Sequence, residues 1–67
     1  MVVDARGLSC PMPVVMTQQA VKHDPAELTV LVDNATAREN VTRFAENAGY
    51  TVAVTTADED FTLTLSK

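Results

Sequence analysis

This 67-residue chain carries few groups suited to covalent or metal chemistry: one cysteine, one histidine, no tryptophan, one tyrosine and two phenylalanines. A single cysteine excludes an intramolecular disulfide framework, so any disulfide must join two molecules. With His23 the only histidine, no Cys/His grouping has metal-ligand spacing, and neither a metal nor a cofactor is expected. Cations are scarce too. Five Lys plus Arg against nine Asp plus Glu leave a formal charge of −4, which gives no field to draw nucleic acid or anionic lipid. No basic stretch followed by an apolar run opens the chain, and no apolar run approaches the roughly 20 residues of a membrane span. The expectation is a cytoplasmic protein of bacterial type that contacts neither nucleic acid nor membrane directly.

What is present is enough for one core. At 46% hydrophobic residues the composition argues against disorder, and residues 1–67 make a single small domain. With so few aromatics, that core must be mostly Val, Leu and Ala.

Hydrophobic periodicity divides the chain into six elements. Val2-Val3-Asp4 reads as a short strand, and Ala5-Arg6-Gly7 turns out of it. A helix follows from Pro13 to about Lys22, with Val14, Thr17, Ala20 and Val21 on one face, and Asp24-Pro25 stops it. Leu28, Val30 and Val32 alternate with Thr29 and Leu31 in a second strand closed by Asp33-Asn34. Thr36-Ala37-Arg38-Glu39 matches a capping box, and Ala37, Val41, Phe44, Ala45 and Ala48 form an apolar stripe of helical period that ends at Gly49. Val52 and Val54, then Phe61, Leu63 and Leu65, mark two strands of a hairpin across an acidic loop from Ala57 to Asp60.

The order β-α-β-α-β-β predicts an α+β fold, a two-layer α/β sandwich in which a mixed four-stranded sheet carries both helices on one face. The other face, with Thr29, Leu31, Thr51, Ala53, Thr55, Thr62 and Thr64, is small and nearly uncharged. That composition suits a solvated antiparallel face, and it also makes this face or an adjoining edge the candidate surface for packing on another domain or subunit.

One segment stands apart. Gly7-Leu8-Ser9-Cys10-Pro11-Met12-Pro13 sets the lone cysteine just ahead of two prolines and a helix. Proline suits a first helical turn, where its missing N–H is one the helix leaves unpaired, and it biases the preceding residue toward extended backbone. Met12 also precedes a proline, so the helix proper starts at Pro11 or Pro13, and either start leaves Cys10 at its N-terminal end. The amides of a first turn and the helix dipole favour a nearby anion, which raises the thiolate fraction of a cysteine placed there. Buried, inert cysteine is the competing reading, and the extended backbone and flanking Gly7 favour presentation over it.

Around Cys10, Arg6 is a candidate source of positive potential or a solvated loop residue, and Asp4 is a candidate acceptor that fixes the loop or a simple turn former. Arg38, in the first turn of the second helix, opposes the dipole and is a candidate partner contact or anion clasp. His23 falls a helix length from Cys10 and is not paired with it. Asp58, Glu59 and Asp60 face water on a hairpin rather than converge on a metal.

Asp4-Ala5-Arg6-Gly7-Leu8-Ser9-Cys10-Pro11-Met12-Pro13-Val14 resembles the signature of the TusA/SirA-like sulfur-carrier family, and the element order agrees over essentially the whole chain. Val32-Asp33-Asn34, Ala37-Arg38-Glu39-Asn40-Val41 and Arg43-Phe44-Ala45 are more similar to the amino-terminal domain of the YedF branch, which is associated with selenium metabolism. Proteins of that branch are longer, so the resemblance implies that this chain corresponds to one excised domain. The resemblance further implies that Cys10 receives sulfur, or selenium, as a persulfide-type adduct from a cysteine desulfurase or other chalcogen donor and passes it to an acceptor protein. Gly7, Pro11, Pro13, Asp4, Arg6 and Arg38 would shape or bind at that site. A carrier is consumed and recharged, so autonomous turnover is not expected.

Two other readings of the residues remain open at this point. One is a non-covalent regulatory module in which the Cys-Pro-X-Pro turn is structural. The other is a redox-sensing thiol, which would need its resolving cysteine from a partner.

Overall fold

The computed structural model describes residues 1–9 and 11–67, together with every side chain among them except that of Ala57. Six elements run in the expected order: β1 (Val2–Asp4), α1 (Met12–Val21), β2 (Glu27–Val32), α2 (Ala35–Asn47), β3 (Thr51–Ala57) and β4 (Asp60–Ser66). The sheet order is β1-β2-β4-β3, with β1 parallel to β2 and the remaining pairs antiparallel. The hairpin strand β4 thus sits inside, and β3 lies at an edge. Burial explains the choice: Leu63 and Leu65 of β4 are fully buried, whereas Val54 of β3 keeps 43% of its surface exposed. The strand with the bulkier apolar side chains takes the position covered by both neighbours and helices.

Both helices cover one face. Leu28, Val30 and Val32 of β2 point there with Val3, Leu63 and Leu65, and they meet Ala20 of α1 and Ala37, Val41 and Ala45 of α2. Alanine at three of those positions lets the helices approach the sheet closely. Thr17 is fully buried in α1, and its hydroxyl donates to the Pro13 carbonyl at 2.8 Å, so burial leaves it satisfied.

The second helix begins differently from the sequence expectation. Its N-cap is Asn34, not Thr36: Asn34 is extended (φ −151°, ψ 157°), and its Oδ1 accepts from the Ala37 amide at 2.7 Å. Thr36 lies inside the first turn, where a capping box cannot operate. Asparagine outranks threonine as an N-cap and is already extended as it leaves β2. The end of the helix is as expected. Gly49 takes φ +94°, its amide donates to the Glu46 carbonyl, and the Tyr50 amide donates to the Ala45 carbonyl, the paired bonds of a Schellman motif. At the same end of the molecule, the buried Tyr50 hydroxyl donates to the Pro25 carbonyl at 2.8 Å. Among the described residues, no helix is long and apolar enough to cross a membrane.

Candidate functional site at the first strand to helix junction

β1 and β2 run parallel, so their carboxyl ends lie side by side, and the loops leaving them meet. The β1 backbone continues one residue past the strand, where the Ala5 amide donates to the Leu31 carbonyl at 2.8 Å and the Ala5 side chain is buried. The chain then turns at Arg6-Gly7. Gly7 needs its glycine here, since its φ is +79°. Its amide donates to Asp33 Oδ2 at 2.7 Å, which fastens the turn to the residue following β2. Leu8 is half-buried against the core and anchors the loop from the inside, while Ser9 and Pro11 are exposed. Cys10, the candidate acceptor, lies outside the described residues.

Helix α1 starts at Met12, between the two positions the prolines suggested. Pro11 is its N-cap, with no side-chain cap, and Pro13 is the second helical residue. This arrangement limits the amides available to an anion. Pro11 and Pro13 have no N–H, and the Met12 amide donates to the Ser9 carbonyl at 2.9 Å.

Arg6 and Asp4 form a two-pronged pair. Arg6 Nε donates to Asp4 Oδ1 and Nη2 to Oδ2, each at 2.9 Å, and the Arg6 backbone amide also donates to Oδ1 at 3.2 Å. Arg6 Nη1 reaches across to Asp60 Oδ2 at 3.3 Å, which links the loop to the start of β4. The hydrogen bonds donated by the Arg6 side chain and backbone hold the Asp4 carboxyl down to about 2, and donating to Asp4 and then to Asp60 raises the affinity of Arg6 for its proton. The Arg6 charge is therefore matched by two carboxylates and adds no net positive field to the loop. Asp4 holds Arg6 through both its carboxylate oxygens.

Arg38 lies elsewhere. Its guanidinium sits 4.9 Å from the centroid of the Phe61 ring, which compensates a cation early in α2, and it shares a surface depression with Glu39, Thr42, Arg43, Glu46 and Val54. The α2 residues that do reach the junction are Asn34, Ala37 and Asn40, which with Pro11, Pro13 and Val14 line a narrow groove between the two helix starts. His23 is exposed beyond the far end of α1.

Asp33, Asn34 and Asp60 were not singled out for this site. Asp33-Asn34 could have been found from the strand order alone, because residues directly after two adjacent parallel strands share one end of the sheet. Asp60 gave no such signal, since its pairing with Arg6 depends on where β4 lies.

Comparison with known proteins places the chain in a family. The model of the family described as Sulfurtransferase TusA matches residues 1–67. The chain belongs to the TusA/SirA-like family of sulfur carriers. A Methanocaldococcus jannaschii protein named as a sulfur carrier is 45% identical over 53 residues, which cover 76% of this chain and 71% of that protein. The crystal structure of a SirA-like protein from Desulfitobacterium hafniense superposes with a TM-score of 0.85 at 32% identity, covering 96% of this chain and 92% of the other. In this TusA/SirA-like chain, β1 leads into α1 through the Arg6-Gly7 turn that Asp33, Asp4 and Asp60 tether.

Proposed function

We propose that Cys10 is the acceptor of a persulfide sulfur that this carrier receives from a cysteine desulfurase and hands to an acceptor protein. The observation that carries the reading is that Ser9 and Pro11, the sequence neighbours of the lone cysteine, are both exposed beside a turn anchored by Gly7–Asp33 and Arg6–Asp4.

In the loading step the Cys10 thiolate attacks the terminal sulfur of the donor persulfide. A new S–S bond forms on Cys10, the donor S–S bond breaks, and the donor cysteine leaves as its thiolate. Unloading reverses the roles: an acceptor nucleophile takes the terminal sulfur, and Cys10 departs as thiolate. Neither step needs an external oxidant or reductant. A second cysteine in the carrier would attack the persulfide and release the cargo as sulfide, so a lone cysteine suits the task. Protein partners would approach over Gly7, Ser9, Pro11 and Met12, all exposed at this end of the sheet.

Incubation with a cysteine desulfurase and free cysteine should add one sulfur atom to the intact mass, removable by thiol reductant and absent from Cys10→Ser. A thiol that is labelled by an alkylating reagent yet gains no sulfur from any donor would overturn the reading. A selenium-supplying donor in parallel tells which chalcogen is carried, since the two adducts differ in mass. Full function retained by Cys10→Ser would assign the turn a structural role in a non-covalent module instead.

A further inference from the structure

The two edges of the sheet are unequal. β1 has three residues, whereas β3 has seven, and its sequence Thr-Val-Ala-Val-Thr-Thr-Ala contains no charge, proline or glycine. Its register with β4 runs without a break from Thr51 to Ala57. Charged side chains, prolines and bulges are what keep exposed edge strands from pairing with other chains, and β3 has none of them. Val54, at its midpoint, faces the helix layer yet remains 43% exposed, because α2 does not extend over the outer edge.

Beside Val54 the flank of α2 shows Arg38, Glu39, Thr42, Arg43 and Glu46. Read from one end these are positive, negative, neutral, positive, negative, and reversing the order exchanges the signs. Such a pattern is complementary to itself. We propose that this edge is an interface between two copies of the chain, with β3 paired antiparallel about Val54 and the two α2 helices side by side. A two-fold axis at Val54 sets Val52 against Thr56 of the second copy and Val54 against its counterpart. The same axis passes near Thr42, the middle of the charged flank, so Arg38 faces Glu46 of the second copy and Glu39 faces Arg43. Adjacent strands lie about 4.8 Å apart, which brings both helices within reach of such long side chains. A strand from an unrelated protein would have no need of the sign-reversing flank. The contact is isologous, so each pair occurs twice and the assembly closes as a dimer.

Sedimentation equilibrium of the full chain tests this, in reductant so that Cys10 cannot form an intermolecular disulfide. A reversible dimer is expected. Val54→Lys should raise its dissociation constant at least about tenfold, by placing two cations face to face at the axis. Arg43→Glu, which sets like charges opposite each other twice, should raise it roughly tenfold, and Glu39→Arg combined with Arg43→Glu should restore it to within about twofold. These side chains are exposed, and unchanged circular dichroism verifies that each variant folds. A chain that stays monomeric up to about millimolar concentration overturns the proposal and leaves the edge to a different protein. So does a dimer indifferent to Val54→Lys, or a double exchange that fails to restore association.

Discussion

The molecule makes the same connection twice, from a strand into a helix at one end of the sheet, and builds the two junctions by opposite means. The entry to α2 is self-sufficient: Asn34 caps the helix with its own side chain, three residues from the amide it serves. The entry to α1 has no side-chain cap, and two prolines stand where amides would be. Its turn is held from outside, by Asp33 on Gly7 and by Asp4 and Asp60 on Arg6. One junction uses its own polar group to cap a helix, and the other is fastened by carboxylates from three separate places in the chain.

Several substitutions would break that contrast. The largest effect belongs to Cys10→Ser, which should abolish sulfur loading in a mass assay while leaving the thermal transition nearly unchanged. Next comes Asn34→Ala. Removing an N-cap costs about 1 kcal/mol, or roughly 4–8 °C of Tm in a small domain, and loading should survive it in calorimetry and mass assays run side by side. Gly7→Ala meets no atom within 4 Å, so its cost is the backbone strain of φ +79°, about 1 kcal/mol, and here loading should fall as well. Asp33→Ala should lower Tm less than either and slow loading more than Asn34→Ala does, because it loosens the turn and spares the helix.

The smallest effect is electrostatic. Asp4 is held at about 2, below its usual 3.8, so the pair contributes stability that is present above about pH 4 and is lost as pH falls through about 2. The pair is exposed, so the contribution is small. Unfolding curves of the native chain and of Asp4→Asn should therefore differ slightly at neutral pH and converge in that acid window.

The contrast also marks what could be read from the sequence. Alternating Leu28, Val30 and Val32 and the stripe Ala37, Val41 and Ala45 specify element type and inward face, because period and burial are local properties, and all six are buried. Thr36 to Glu39 had the letters of a capping box, but capping depends on which residue is still extended when the helix begins, and that residue is Asn34. The site divides in the same way. Asp4, Arg6 and Gly7 are near neighbours of Cys10 in the chain and could be named in advance. Asp33 and Asp60 reach the loop from 26 and 54 residues away, through a sheet order in which β4 intervenes between β2 and β3.

Tyr50 gives the molecule a built-in optical reporter. It is the chain's only tyrosine, there is no tryptophan, and it is buried at the end of β2 opposite the Gly7 turn, with its hydroxyl bonded to Pro25. Intrinsic tyrosine emission thus comes from a single fluorophore. Its signal follows global unfolding, so stability can be read from one side chain on the same sample that a mass assay examines.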